Sequence, residues 1–149
     1  MLSLDYSEVA RSFIKEAKVD LRSAQLLKDG EEFSRAIAMC QQAVEKILKA
    51  ALALKGIIVL EHEVADQFVA AFPEIEGIRE LGRIVKALER EGTKTRYPLF
   101  GRVDLSIWVP SERYKEEHAT KAIDTARFVT QKVIDFIEKE YHLSIGGTK

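Results

Sequence analysis

Apolar residues recur along this chain at alternating intervals of four and three, the spacing that gathers side chains on one stripe of an α-helix. Ala10, Ile14, Ala17, Leu21 and Ala24 keep this rhythm and predict a first helix over about residues 7–28. Ser7 is its expected N-cap, and Gly30, in a left-handed conformation, its expected stop. Phe33, Ile37, Cys40, Val44, Ile47, Ala51 and Leu54 hold the rhythm without a fault and predict a second helix over about 31–55, closed by Gly56. A parallel row of Ala36, Ala43 and Ala50 lets a neighbouring helix approach closely. Ile57-Ile58-Val59-Leu60 has no second strand to pair with and reads as an apolar connector.

A short third helix is expected over about 61–72, with Val64 and Phe68 inward. After Pro73, a fourth over about 74–91 carries Ile75, Ile78, Leu81, Val85 and Leu88 and is closed by Gly92. Pro110 and Ser111 open a last, uninterrupted helix to about residue 141, with Ala119, Ala122, Ala126, Val129, Val133 and Phe136 on its apolar stripe. These elements predict an all-α, antiparallel up-and-down four-helix bundle with one short extra helix. It forms a single domain over 1–143 with a frayed tail at 144–149. Second apolar stripes, Leu48 and Leu52 on one helix and Ile123, Thr130 and Ile137 on the last, exceed what one bundle seam needs and predict a homodimer. Residues 93–110 break the helical pattern and hold Tyr97, Phe100 and Trp108. Such a stretch is either a site or a plug for the bundle end.

Composition narrows the function. Of 149 residues, 46% are hydrophobic and 32% charged, which suits a packed core and excludes disorder. Lys plus Arg number 23 against 24 Asp plus Glu, so a globally basic nucleic-acid binder is excluded while a local basic patch is not. The single Cys40, on an apolar seam, excludes an internal disulfide and a cysteine-based zinc site. The N-terminal residues lack a basic-then-apolar leader and no run is long enough to span a bilayer, so the expected location is cytoplasmic, away from membranes.

Three constellations carry candidate chemistry. Arg35, Met39, Gln42, Lys46 and Lys49 share a helix face about 200° from the apolar seam, which suits a nucleotide phosphate or is simply a solvated face. Between Arg79 and Arg102, seven cations stand against three acids, and Tyr97 and Phe100 are interleaved with them, as in sites that stack bases and meet phosphates. Arg113 and His118 have the residue types that metal-independent RNA cleavage needs: an imidazole to move protons and a guanidinium to meet developing phosphorane charge. On one continuous helix five residues turn about 500°, so the two side chains would diverge by roughly 140°. His62 with Asp66 reads as a surface pair, and no metal site or cofactor is expected.

Gln41-Gln42-Ala43-Val44-Glu45-Lys46-Ile47-Leu48-Lys49-Ala50, running into Gly56, resembles the second helix of the HEPN family. So do Arg96-Tyr97-Pro98 after the fourth helix, and Tyr114 with Ala119, Ala122 and Ala126 in the last. The resemblance spans about residues 5–140. It implies a five-helix bundle, usually homodimeric and often encoded beside a small nucleotidyltransferase as its partner. Some members are ribonucleases with an Arg followed after four to six residues by His; others are described as nucleotide binders. Arg96 stands at the loop position that resembles the family's, and no His follows it at that distance; Arg113 and His118 match the spacing but fall on the first turns of the expected last helix. The expected role is therefore a nucleotide- or RNA-binding accessory module, with Gln42, Lys46, Lys49, Arg96 and Tyr97 as its binding residues. The alternatives are a ribonuclease toxin using Arg96 or the Arg113 and His118 pair, and a structural dimer without a ligand.

Overall fold

The computed structural model describes residues 3–101 and 106–145. Its helices are α1 (Tyr6–Asp29), α2 (Phe33–Leu54), α3 (Ala65–Ala71), α4 (Ile78–Lys94), α5 (Pro110–Arg113) and α6 (Glu116–Tyr141). The long ones form the expected antiparallel bundle. The N-cap of α1 is Asp5 rather than Ser7: its carboxylate accepts from the backbone N–H groups of Ser7 (3.0 Å) and Glu8 (3.2 Å). A charged acceptor at the positive end of the helix outcompetes a hydroxyl. At the other end Gly30 stays at φ −87°, and the left-handed residue is Glu31, at φ 62°. There the Glu32 N–H reaches back to the Leu27 carbonyl at 2.8 Å.

α2 is the hub of the bundle. It packs along α1 and also meets α6, α4, α3 and α5. Its buried positions therefore run round most of the cylinder instead of occupying one stripe, a pattern that marks an enclosed helix. This removes the sequence argument for a second copy. Leu48, Leu52 and Ile137 are fully buried, and Ile123 and Thr130 are buried, all within one chain. On α2 the surplus apolar surface lines contacts with five helices, and on α6 it is covered within the same chain.

Four boundaries depart from the periodicity. α3 begins at Ala65 because a side chain from another helix caps it: the buried Glu89 carboxylate of α4 accepts from Val64 N (2.9 Å) and Ala65 N (3.3 Å). α4 starts after a turn closed by Gly77 at φ 73°, and it runs through Gly92 instead of stopping there. A Cβ on Gly92 would lie 2.7 Å from Cγ of Gln41, so glycine at this point lets α4 touch α2. The last helix is broken. Tyr114 (φ −99°, ψ 137°) and Lys115 (φ −115°, ψ 173°) are extended and separate α5 from α6.

The connection after α4 is pinned at its base. Leu99 and Trp108 exchange both backbone hydrogen bonds (3.0 and 2.8 Å), and the Trp108 indole N–H donates to the Lys94 carbonyl at 2.9 Å. Tyr97 is 72% and Phe100 80% exposed, so these rings do not plug the bundle end. Among the described residues, no helix is long and apolar enough to cross a membrane.

Candidate functional site

One cluster grows from the middle of α2. Glu45 is the centre: its carboxylate accepts from Lys49 Nζ (2.9 Å) and Gln41 Nε2 (3.2 Å), one turn away on either side, and lies 3.1 Å from His62 Nδ1. Gln41 turns its amide oxygen outward to accept from the Arg96 guanidinium at 2.8 Å. The loop after α4 is thereby drawn onto α2, beside the point where Gly92 admits Gln41. Lys46, on the next face, pairs with Asp20 of α1 at 2.6 Å. Gln42, Glu45, Lys46, His62 and Arg96 together line a cavity of about 420 Å³.

The structure thus gathers Gln42, Lys46 and Arg96, which sit far apart in sequence, round one opening. It does not add the other two expected residues. Lys49 is buried and bound to Glu45, and Tyr97 stands in solvent outside the lining. His62 is the residue that sequence reasoning missed. Its partner is Glu45, seventeen positions earlier, whereas Asp66, its expected partner, pairs with Lys86 at 2.8 Å. Two cations with one carboxylate and one imidazole suit a single phosphate group better than a polyanionic strand. Arg96 is the better-placed donor, since its observed partner is an amide oxygen and not a carboxylate.

A second cluster surrounds the α5–α6 break. The Arg113 guanidinium lies over the Trp108 ring at 5.4 Å. The Trp108 and Tyr114 rings meet edge to face at 5.8 Å, and Tyr114 and His118 do the same at 5.8 Å. Arg113 and His118 are therefore spanned by two packed rings at one end of the bundle. The expected 140° divergence presumes a continuous helix and does not apply across this break. His118 Nδ1 accepts from Lys115 N at 2.9 Å, which leaves the neutral ring's proton on Nε2. Tyr114 is buried, and its hydroxyl has no partner in hydrogen-bonding geometry among the described residues. Burial, and then the neighbouring Glu91 carboxylate, hold that phenol above its ordinary pKa.

Comparison with known proteins agrees with this architecture. The family model described as HEPN domain matches residues 10–140. The chain is 32% identical over 143 residues to "Putative toxin MJ1304" of Methanocaldococcus jannaschii, covering 90% of this chain and 91% of that one. Its fold resembles TT1696 from Thermus thermophilus, with a TM-score of 0.71 at 26% identity over 85% of this chain and 96% of that one. It also resembles ST0689, an archaeal HEPN homologue, with a TM-score of 0.66 at 25% identity over 86% and 97% of the two chains. A match over nearly the whole bundle settles the family: the chain belongs to the HEPN domain family.

Proposed function

We propose that this chain is the toxin of a toxin–antitoxin pair and acts by cleaving RNA at Arg113 and His118. The observation that carries the reading is the end-to-end similarity to a protein named as a toxin. The geometry round the α5–α6 break supports it. In metal-independent cleavage a ribose 2′-hydroxyl attacks the adjacent phosphorus and the 5′-oxygen leaves with a proton. His118 presents Nε2 outward while Nδ1 accepts from Lys115 N in the neutral ring; as imidazolium, with that contact given up, it would donate the Nε2 proton to the leaving oxygen and return to the neutral form. Arg113 sits on an aromatic face that fixes the guanidinium plane, and meets the non-bridging oxygens. The 2′-hydroxyl proton would go to the Nε2 of a second copy's neutral His118 in the other tautomer, brought close if the chain pairs as a homodimer. The antitoxin would be a small nucleotidyltransferase, as in the pairs common to this family.

The test is induced expression with and without the neighbouring nucleotidyltransferase, and cleavage of a single-stranded RNA by purified protein in excess chelator. Growth arrest relieved by the partner is expected. Loss of a positioned acid lowers a rate about 10²–10⁴-fold, so His118→Asn and Arg113→Ala should each remove most cleavage. Growth unaffected by expression, together with no cleavage above background by folded protein, overturns the reading.

A second reading rests on the α2 cavity, where Gln42, Lys46 and Arg96 converge. It is that of a nucleotide- or RNA-binding accessory module. Two charge-assisted contacts of about 1.5–3 kcal/mol each support micromolar to millimolar binding, with strong salt dependence. Titration of ATP and a short single strand into wild type and into Lys46→Ala/Arg96→Ala at low salt tests it. Equal affinity in both proteins refutes the site.

A further inference from the structure

α4 and α6 both pack on α2 but scarcely touch each other. The gap between them is a cavity of about 560 Å³ with Ile37 of α2 as its floor and Leu88 and Ala122 among its walls. Its charged and titratable groups sit on the margin: Glu91 at the end of α4, His118 and Lys121 on the first turns of α6. The cavity therefore begins where the proposed cleavage site ends, since His118 belongs to both. Beside Glu91 lies the buried Tyr114 hydroxyl, without a hydrogen-bond partner among the described residues.

We infer that this cavity is a nucleobase pocket that selects guanine in single-stranded RNA, with Glu91 reading the base edge. The size falls within the range of small-ligand sites. The apolar walls match the faces of a base, and recognition of unpaired bases relies on such faces together with hydrogen bonds to the Watson–Crick edge. An ionised carboxylate only accepts. Among the four RNA bases, guanine alone offers two adjacent N–H donors on that edge, its ring N1–H and its exocyclic amine. Adenine and cytosine set an acceptor against one of the carboxylate oxygens, and uracil flanks its single ring N–H with carbonyls. The Tyr114 hydroxyl is the group that can hold the carboxylate in place from the protein side, leaving its outer lone pairs for the base. Lys121 and His118 line the same cavity as Glu91, so a guanosine held there has cations and the proposed acid beside it to meet its 3′-phosphate, and the cut would fall on its 3′ side. This rests on the ribonuclease reading for the use made of the bound base, but the binding itself does not require cleavage.

The experiment has two arms. In the first, guanosine 3′-monophosphate and its adenosine, cytidine and uridine counterparts are titrated into wild type, Glu91→Gln and Lys121→Ala at low salt. Guanosine should bind at least about tenfold more tightly than the others, and Glu91→Gln should erase that preference, because a site built to pair specific donors rejects ligands that lack them. Lys121→Ala should weaken all four equally. In the second arm, cleavage products of a mixed-sequence RNA are mapped, and cuts after guanosine are expected. Equal binding of the four nucleotides overturns the pocket, and so does guanosine affinity untouched in a folded Glu91→Gln protein. Guanosine binding through Glu91 without RNA cleavage supports the pocket and overturns the ribonuclease reading. Cleavage indifferent to base does the reverse.

Discussion

Glu45→Ala removes the counter-charge of Lys49 where water scarcely reaches. The two side chains are 9% and 10% exposed and 2.9 Å apart, in the wall between the α2 cavity and the core. Breaking a buried pair by deleting one partner costs about 3–5 kcal/mol. A ceiling comes from proton release, since discharging an ordinary lysine ammonium at neutral pH costs about 4–5 kcal/mol. The Gln41 amide also loses an acceptor, adding about 0.5–1.5 kcal/mol, while His62, 75% exposed on its side chain, adds little. A loss of about 4 kcal/mol is expected, and at about 2–4 °C per kcal/mol the melting temperature falls by roughly 8–16 °C. Replacing both partners by methionine fills the space without stranding a charge and should recover to within about 1–2 kcal/mol of wild type. Urea unfolding followed by circular dichroism on the single and double variants measures each term. A cost below about 1 kcal/mol for Glu45→Ala, or a double variant no better than the single one, would show the pair to be an ordinary surface contact and refute the reasoning.

Leu48→Ala empties a fully buried site inside one chain, so urea unfolding should show a loss of about 2–5 kcal/mol. Sedimentation should show its oligomeric state unchanged. Burial pushes the Cys40 thiol up to about 12, so a thiol reagent at pH 8 should label it only as fast as the native chain opens, and labelling before unfolding would contradict this. Burial also raises the Glu89 carboxyl above its ordinary value, against the pull of its two backbone donors. The native state then holds that proton to higher pH than the unfolded chain does. Its contribution to stability is accordingly full at acid pH and lost as pH rises from the ordinary carboxylate range through the native value. Glu89→Gln should flatten that part of the urea-midpoint profile.

The bundle was legible in the sequence because its helices obey one rhythm, and the ends were not because they depend on contacts across the fold. α2 is the clear case. Its main stripe is periodic, but Leu48 and Leu52 looked like surplus because periodicity counts faces and does not count neighbours. Gly92 looked like a stop signal, and only the approach of Gln41 shows it to be a contact point inside α4. Lys46 and Arg96 were grouped by charge, and it is the loop after α4, drawn onto α2 through Gln41, that brings them to one opening. His62 was lost because its partner Glu45 is remote in sequence. At Arg113 and His118 the residue types were visible and the geometry was not: an extended pair at Tyr114 and Lys115 carries no apolar period to announce it.

The central position of α2 also orders the assembly of the molecule in time. α1 and α2 are joined by three residues, so their long antiparallel contact closes almost no loop and can form early. α6 follows α2 by about sixty residues and must find it across the whole intervening chain. During synthesis the α2 face destined for α6 therefore waits uncovered while α3, α4 and α5 emerge, an interval in which chaperones or aggregation compete for it. His118 and Lys121 ride on that last helix. A chain cannot present the α4–α6 cavity until the final stage of folding is complete.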